Sequence, residues 1–121
     1  MPKTITIPEL EEGEIYAGII LNERGWPDHH VILLPGDSDD AEWQKQRDWA
    51  KEQGGDLPTR REQSLLFANC KQHFEQDWYW SNEEYASVSG CAWFQGFGDG
   101  DQFYNHKSRK LSARAVRREF V

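Results

Sequence analysis

Leu57-Pro58-Thr59-Arg60-Arg61-Glu62 decides how the middle of the chain folds. Thr59 can accept a hydrogen bond from the backbone N–H of Glu62, and Glu62 can reach back to the N–H of Thr59. This reciprocal pattern is a capping box. Leu57 and Pro58 precede it and can pack against the new helix as a staple. The helix is expected over residues 60–73, with Leu65, Leu66 and Cys70 on its apolar side. Upstream, residues 41–53 contain no Gly or Pro, and Trp43, Trp49 and Ala50 share one helical face. Gly54-Gly55 ends this first helix. The preceding loop, Pro35-Gly36-Asp37-Ser38-Asp39-Asp40, offers Asp39 or Asp40 as its N-cap.

Strand signals lie on both sides of the helix pair. Residues 14–22 and 31–34 are apolar and β-branched, and Gly25 and Pro27 lie between them. They read as a β-hairpin whose turn carries His29 and His30 at the surface. Residues 1–12 form a lead-in in which Ile5, Ile7 and Leu10 can make a short edge strand. Beyond the helices, residues 77–81 read as a strand and 82–90 as a polar loop. Residues 91–97 follow as a strand with Cys91, Trp93, Gln95 and Phe97 on one side, then a turn at Gly98-Asp99-Gly100-Asp101. A final strand is expected within 111–120. Strands, then two helices, then strands give an α+β class, not a parallel α/β sheet.

The 121 residues suit one domain, and a chain of this size buries roughly two thirds of the surface that it exposes when unfolded. Six Trp, six Phe and four Tyr imply a core built from rings. The net charge of −7 is uneven: residues 1–58 hold 5 basic and 13 acidic side chains, residues 59–121 hold 9 and 8. Such a chain is a poor bulk binder of nucleic acid. Six basic residues and no acidic one fall within 107–118, so a local anion site built on Arg114, Arg117 and Arg118 stands beside a structural reading: a framework salt bridge and solvated edge charges. No basic start followed by an apolar run marks a signal peptide. No stretch approaches the ~20 apolar residues of a membrane span. Cys70 and Cys91 read as free thiols of a cytoplasmic protein.

Leu57-Pro58-Thr59-Arg60-Arg61-Glu62, then Trp78-Tyr79-Trp80-Ser81, then Ala92-Trp93, and last Ala113-Arg114-Ala115-Val116-Arg117-Arg118 together resemble the family called domain of unknown function 1566, related to the Lcl C-terminal domain. The resemblance spans residues 13–118. Small members are common in phages and prophages. It implies a C-type-lectin-like fold, similar to that of the formylglycine-generating enzymes. In that fold a hairpin joins the chain ends, and a second small sheet carries the ligand surface. Residues 91–118 also resemble the variable region of diversity-generating retroelement target proteins, in which a framework displays substituted residues.

The stretch 94–106 supplies the candidate ligand surface: Phe94, Asp99, Asp101, Phe103, Tyr104, Asn105 and His106. Rings with small polar neighbours recognise ligands at low entropic cost. Trp80, Trp93, Ala113 and Val116 are expected as buried framework, with Asp99, Asp101, Tyr104, Asn105 and His106 exposed on one face. Asp99, Asp101 and Asn105, or Asp37, Asp39 and Asp40, could offer oxygen ligands to calcium. Turn and capping roles explain the same residues, and no metal or other cofactor is expected. The histidines and cysteines show no metal spacing. No Ser–His–Asp or Cys–His set has support, and only Cys91 stands where formylglycine-generating enzymes use a late cysteine pair.

The sequence thus reads as a binding module of phage or prophage origin, not an enzyme, with a protein or glycan ligand and room for a homo-oligomer. It is expected to be cytoplasmic when made, with virion association as a further destination. One alternative is an intracellular phage accessory protein that inhibits or sequesters a host factor. The other is a degenerate formylglycine-generating-type enzyme.

Overall fold

The computed structural model describes residues 4–121, so the first three residues of the expected lead-in lie outside the described residues. The class is α+β: two helices and two three-stranded antiparallel sheets. The first sheet contains β1 (Ile15–Leu21), β2 (Pro27–Leu33) and β6 (Val116–Phe120), with β2 in the middle. The second contains β3 (Trp78–Glu84), β4 (Cys91–Gly96) and β5 (Gln102–His106), with β4 in the middle. Helix α1 (Trp43–Glu52) and helix α2 (Arg60–Cys70) lie between them in sequence, and α2 continues into a 3₁₀ turn at Lys71–His73. No helix among the described residues is long and apolar enough to cross a membrane.

The capping box forms as read. Thr59 Oγ1 accepts from the Glu62 N–H at 3.1 Å, and Glu62 Oε1 accepts from the Thr59 N–H at 2.8 Å. Helix α1 does not use its expected cap. Its N-cap is Glu42, whose side chain makes no capping bond; the Trp43 N–H instead donates to the Lys107 carbonyl. Asp40 faces elsewhere and accepts from Ser112 Oγ at 2.8 Å. Gly54, with φ +90°, turns the chain out of α1. A Cβ on Gly55 would collide with the Val116 carbonyl, which lets Asp56 bridge to β6.

The hairpin turn is shorter than expected. β2 begins at Pro27, so His29 and His30 are strand residues and are buried, not turn surface. Pro27 is tolerated as the first residue of a strand. The described part of the lead-in forms no strand, and Ile5, Ile7 and Leu10 are exposed. Arg117 ties it down by donating to the Glu9 carbonyl and to Glu14.

The expected final strand divides in two. Only Val116–Phe120 joins a ladder, in register with β2. Residues 111–115 run extended between the two sheets: Leu111 bridges to Ala41, Ser112 bridges to Tyr79, and Leu34 donates to the Ala115 carbonyl. Neighbours press on both sides, so Ala113 and Ala115 are small and almost fully buried. One apolar cluster centres on Trp80, Trp43, Leu57 and Phe94, the other on Leu66, Tyr79, Phe97 and Val116.

Candidate functional site

Two of the concavities on the surface differ in chemistry. The larger, of about 680 Å³, lies where the β1–β2 turn meets the start of α2 and is lined by Asn22, Asp28, His29, Arg60, Arg61 and Glu83 among others. Several of its polar groups are held by hydrogen bonds within the fold. Arg61 donates to the Leu21 carbonyl, and Arg60 Nε donates to Gln102 while its guanidinium lies 3.5 Å from the Trp93 ring centre. Glu83 accepts from the Arg60 N–H at 2.7 Å. His29 sits between two carboxylates, with Asp28 Oδ2 2.7 Å from Nδ1 and Glu62 Oε2 2.7 Å from Nε2.

Behind this cleft the charges continue inward. Arg118 donates to both oxygens of the fully buried Glu62 and to Asp56, and Asn82 of β3 also reaches Asp56. Burial alone would push the Glu62 carboxyl up; hydrogen bonds from Arg118, the Thr59 N–H and His29 outweigh it and hold the group below the ordinary range. The network joins both sheets and α2, which makes it structural. Arg114, Arg117 and Arg118 do not form an open anion site. Arg114 is buried and donates to the His73 and Leu34 carbonyls, with Nε 3.4 Å from Asp37. Arg117 pairs with Glu14 and Glu119.

The second concavity, a groove of about 390 Å³, lies at the end of the second sheet where Trp78 and Gly96 pair, on the face that carries Phe94. Its lining is Trp78, Phe94, Gly96, Asp99, Asp101, Phe103, Tyr104 and Asn105. Six of the seven ligand-surface residues expected from sequence therefore meet in one place. Phe94 is the floor and not a displayed side chain, at 7% exposure; it stacks on Trp78 at 4.9 Å and packs edge-on to Trp80. Phe103 is 60% exposed. Asp99 and Asp101 are exposed at the β4–β5 turn, where Asp99 Oδ1 accepts from the Asp101 N–H.

The expected single face is in fact two. The register pairs Phe103 with Phe94 and Tyr104 with Trp93, so the pleat aims Phe103 and Asn105 to the groove side and Tyr104 and His106 to the other. Tyr104 and Asn105 are half-buried. The Tyr104 ring stacks on Tyr85 at 3.9 Å and lies 5.3 Å from the near-parallel Phe103 ring, which folds around the free edge of β5. His106 is exposed but turns toward Cys91, with Nδ1 3.7 Å from Sγ. Trp93, expected as buried framework, is only half-buried, lying under Arg60 and against Tyr85. Trp80, Ala113 and Val116 are fully buried.

Sequence reading missed Trp78 and Gly96. Alternation in Trp78-Tyr79-Trp80 puts Trp78 on the Trp80 side. Only the pairing of Trp78 with Gly96 shows that it ends beside the candidate stretch, 47% exposed. Among the described residues, no group of three or more His, Cys, Asp or Glu side chains is placed to hold a metal ion. Compared with known families and with curated proteins, the sequence matches no family model and no curated protein.

Proposed function

We propose that the protein is a ligand-binding module on a C-type-lectin-like framework, of phage or prophage origin, and that it binds a protein or glycan through the groove of its second sheet. One observation carries the reading. Trp78 and Phe103 stand 47% and 60% exposed around the buried Phe94, beside the carboxylates of Asp99 and Asp101. Exposed rings are costly to leave in water, and rings backed by a rigid sheet make binding hot spots. The polar cleft has no comparable display, because no Trp, Phe or Tyr is among its lining residues. The arrangement also suits the framework: the first sheet joins the hairpin near the N-terminus to the C-terminal strand, and the second stands apart to carry a surface.

The test is a double variant, Phe103→Ala with Asn105→Ala. It should abolish partner capture while shifting stability by less than about 1 kcal/mol, as expected for exposed or half-exposed positions away from the core. Undiminished capture would move the binding face elsewhere.

A further inference from the structure

We infer that the groove of the second sheet receives an arginine side chain from an extended basic segment of a partner protein; this rests on reading that face as the binding surface. The strand pairing builds the receptacle. Gly96 lies on the middle strand between Trp78 of β3 and Asp101, whose carbonyl accepts from the Gly96 N–H at 2.9 Å. Gly96 carries no side chain, and Asp99 and the Trp78 ring close over it, so the residue is buried. A Cβ there would lie 3.0 Å from Asp99 Oδ1 and 3.4 Å from the Trp78 indole, so a carboxylate and an aromatic ring converge on one spot.

The chemistry of the lining selects a cation. It includes the rings of Trp78, Phe94 and Phe103 and two carboxylates, with no Lys or Arg. Among the described residues neither Asp99 nor Asp101 is in an ion pair. A guanidinium is planar, stacks on ring faces and donates to a carboxylate through two N–H groups, which a lysine ammonium cannot match. Trp78 uses one face against Phe94 and is 47% exposed, which leaves surface for such stacking. β5 is an edge strand, so an extended peptide can run alongside it. The carboxylates of Asp99 and Asp101 draw in a basic segment and oppose a second copy of this chain at the same acidic rim.

The experiment follows the Trp78 indole N–H of the full chain by nitrogen-15 NMR, with Trp78→Phe to assign it. Three probes are titrated: a Gly/Ser peptide carrying two arginines, the same peptide with glutamines in their place, and a neutral trisaccharide. The arginine peptide should shift the signal saturably and the other two should not. Asp99→Asn with Asp101→Asn should weaken that binding by about tenfold or more. The Asn at position 99 keeps the acceptor for the Asp101 N–H, so the turn survives. Equal binding of the glutamine peptide, or no loss in the asparagine double variant, would overturn the inference, as would silence toward the arginine peptide at millimolar concentration. A shift with the trisaccharide alone would also overturn it, yet leave the binding face standing. A captured partner that leaves the Trp78 signal unmoved would instead count against the binding face itself.

Discussion

Glu62 and Arg118 meet in a two-point ion pair, 2.8 Å from Oε1 to Nη2 and 2.7 Å from Oε2 to Nε, with the carboxylate wholly removed from solvent. The same carboxylate completes the capping box of α2 and lies against His29 of β2. One side chain thus fixes the helix start, the central strand of the first sheet and its C-terminal strand. Removing Arg118 would strand a buried charge. Arg118→Met should cost about 3–5 kcal/mol in denaturant unfolding. Combining it with Glu62→Gln should cost much less than the sum of the two single changes, because the stranded charge is then gone.

Acid should loosen the fold through the same groups. The Glu14 carboxyl is held below the ordinary range chiefly by hydrogen bonds from Arg117, and Glu62 is held low by Arg118, Thr59 and His29 against the opposing effect of burial. A carboxyl lower in the folded state binds fewer protons there than in the unfolded chain. Its contribution is therefore complete above the ordinary value of 4.5 and is lost as the pH falls through the depressed folded value. Melting temperature measured downward from pH 6 should begin to drop near pH 5. Glu14→Gln should make that drop shallower.

Thr59→Ala removes one of the two reciprocal bonds at the start of α2. The expected loss is about 0.5–2 kcal/mol by denaturant unfolding, with any binding activity intact well below the melting temperature. A neutral result would mean that the Glu62 network holds the helix start without its cap.

Gly55→Ala tests the close approach between the end of α1 and β6. The added Cβ must displace the Val116 carbonyl or the Asp56 bridge, and the expected cost is about 1–3 kcal/mol. Gly54→Ala differs in kind: nothing lies near its Cβ, so its cost comes only from the positive φ.

The capping box, both helices and the β1–β2 hairpin were legible because each rests on residues close together in sequence. Thr59 and Glu62 are three apart, and the runs that became β3 and β4 carry their own β-rich composition. What was not legible depends on partners far along the chain. His29 beside Gly25 and Pro27 looks like turn surface until Glu62 supplies a buried partner 33 residues away. Residues 111–115 look like a continuous strand, but they are enclosed on both sides and pair only singly. The candidate site was readable as a stretch, through its glycines, rings and short polar residues. Its division between two sides of the sheet, and the entry of Trp78 from β3, follow from a register that composition does not encode.

Cys70 gives an independent check on the core. It is 1% exposed, and burial pushes its thiol up, so little thiolate forms at neutral pH. Its labelling by a thiol reagent should track global unfolding measured by denaturant. Fast labelling in the native state would show that the α2–β1 packing opens locally.

Site-specific photo-crosslinking tests the proposed binding face most directly. A photoreactive phenylalanine analogue at Phe103, 60% exposed in the groove, is compared with the same analogue at Phe120, 72% exposed on the first sheet. Both positions tolerate a ring and both reach solvent, so exposure alone cannot separate them. In cells that make the protein, a discrete adduct should form from position 103 and not from position 120, and Asp99→Asn with Asp101→Asn should diminish it. An adduct from position 120 alone, or none from position 103 while a partner is still captured, would contradict the placement of the ligand surface on the second sheet.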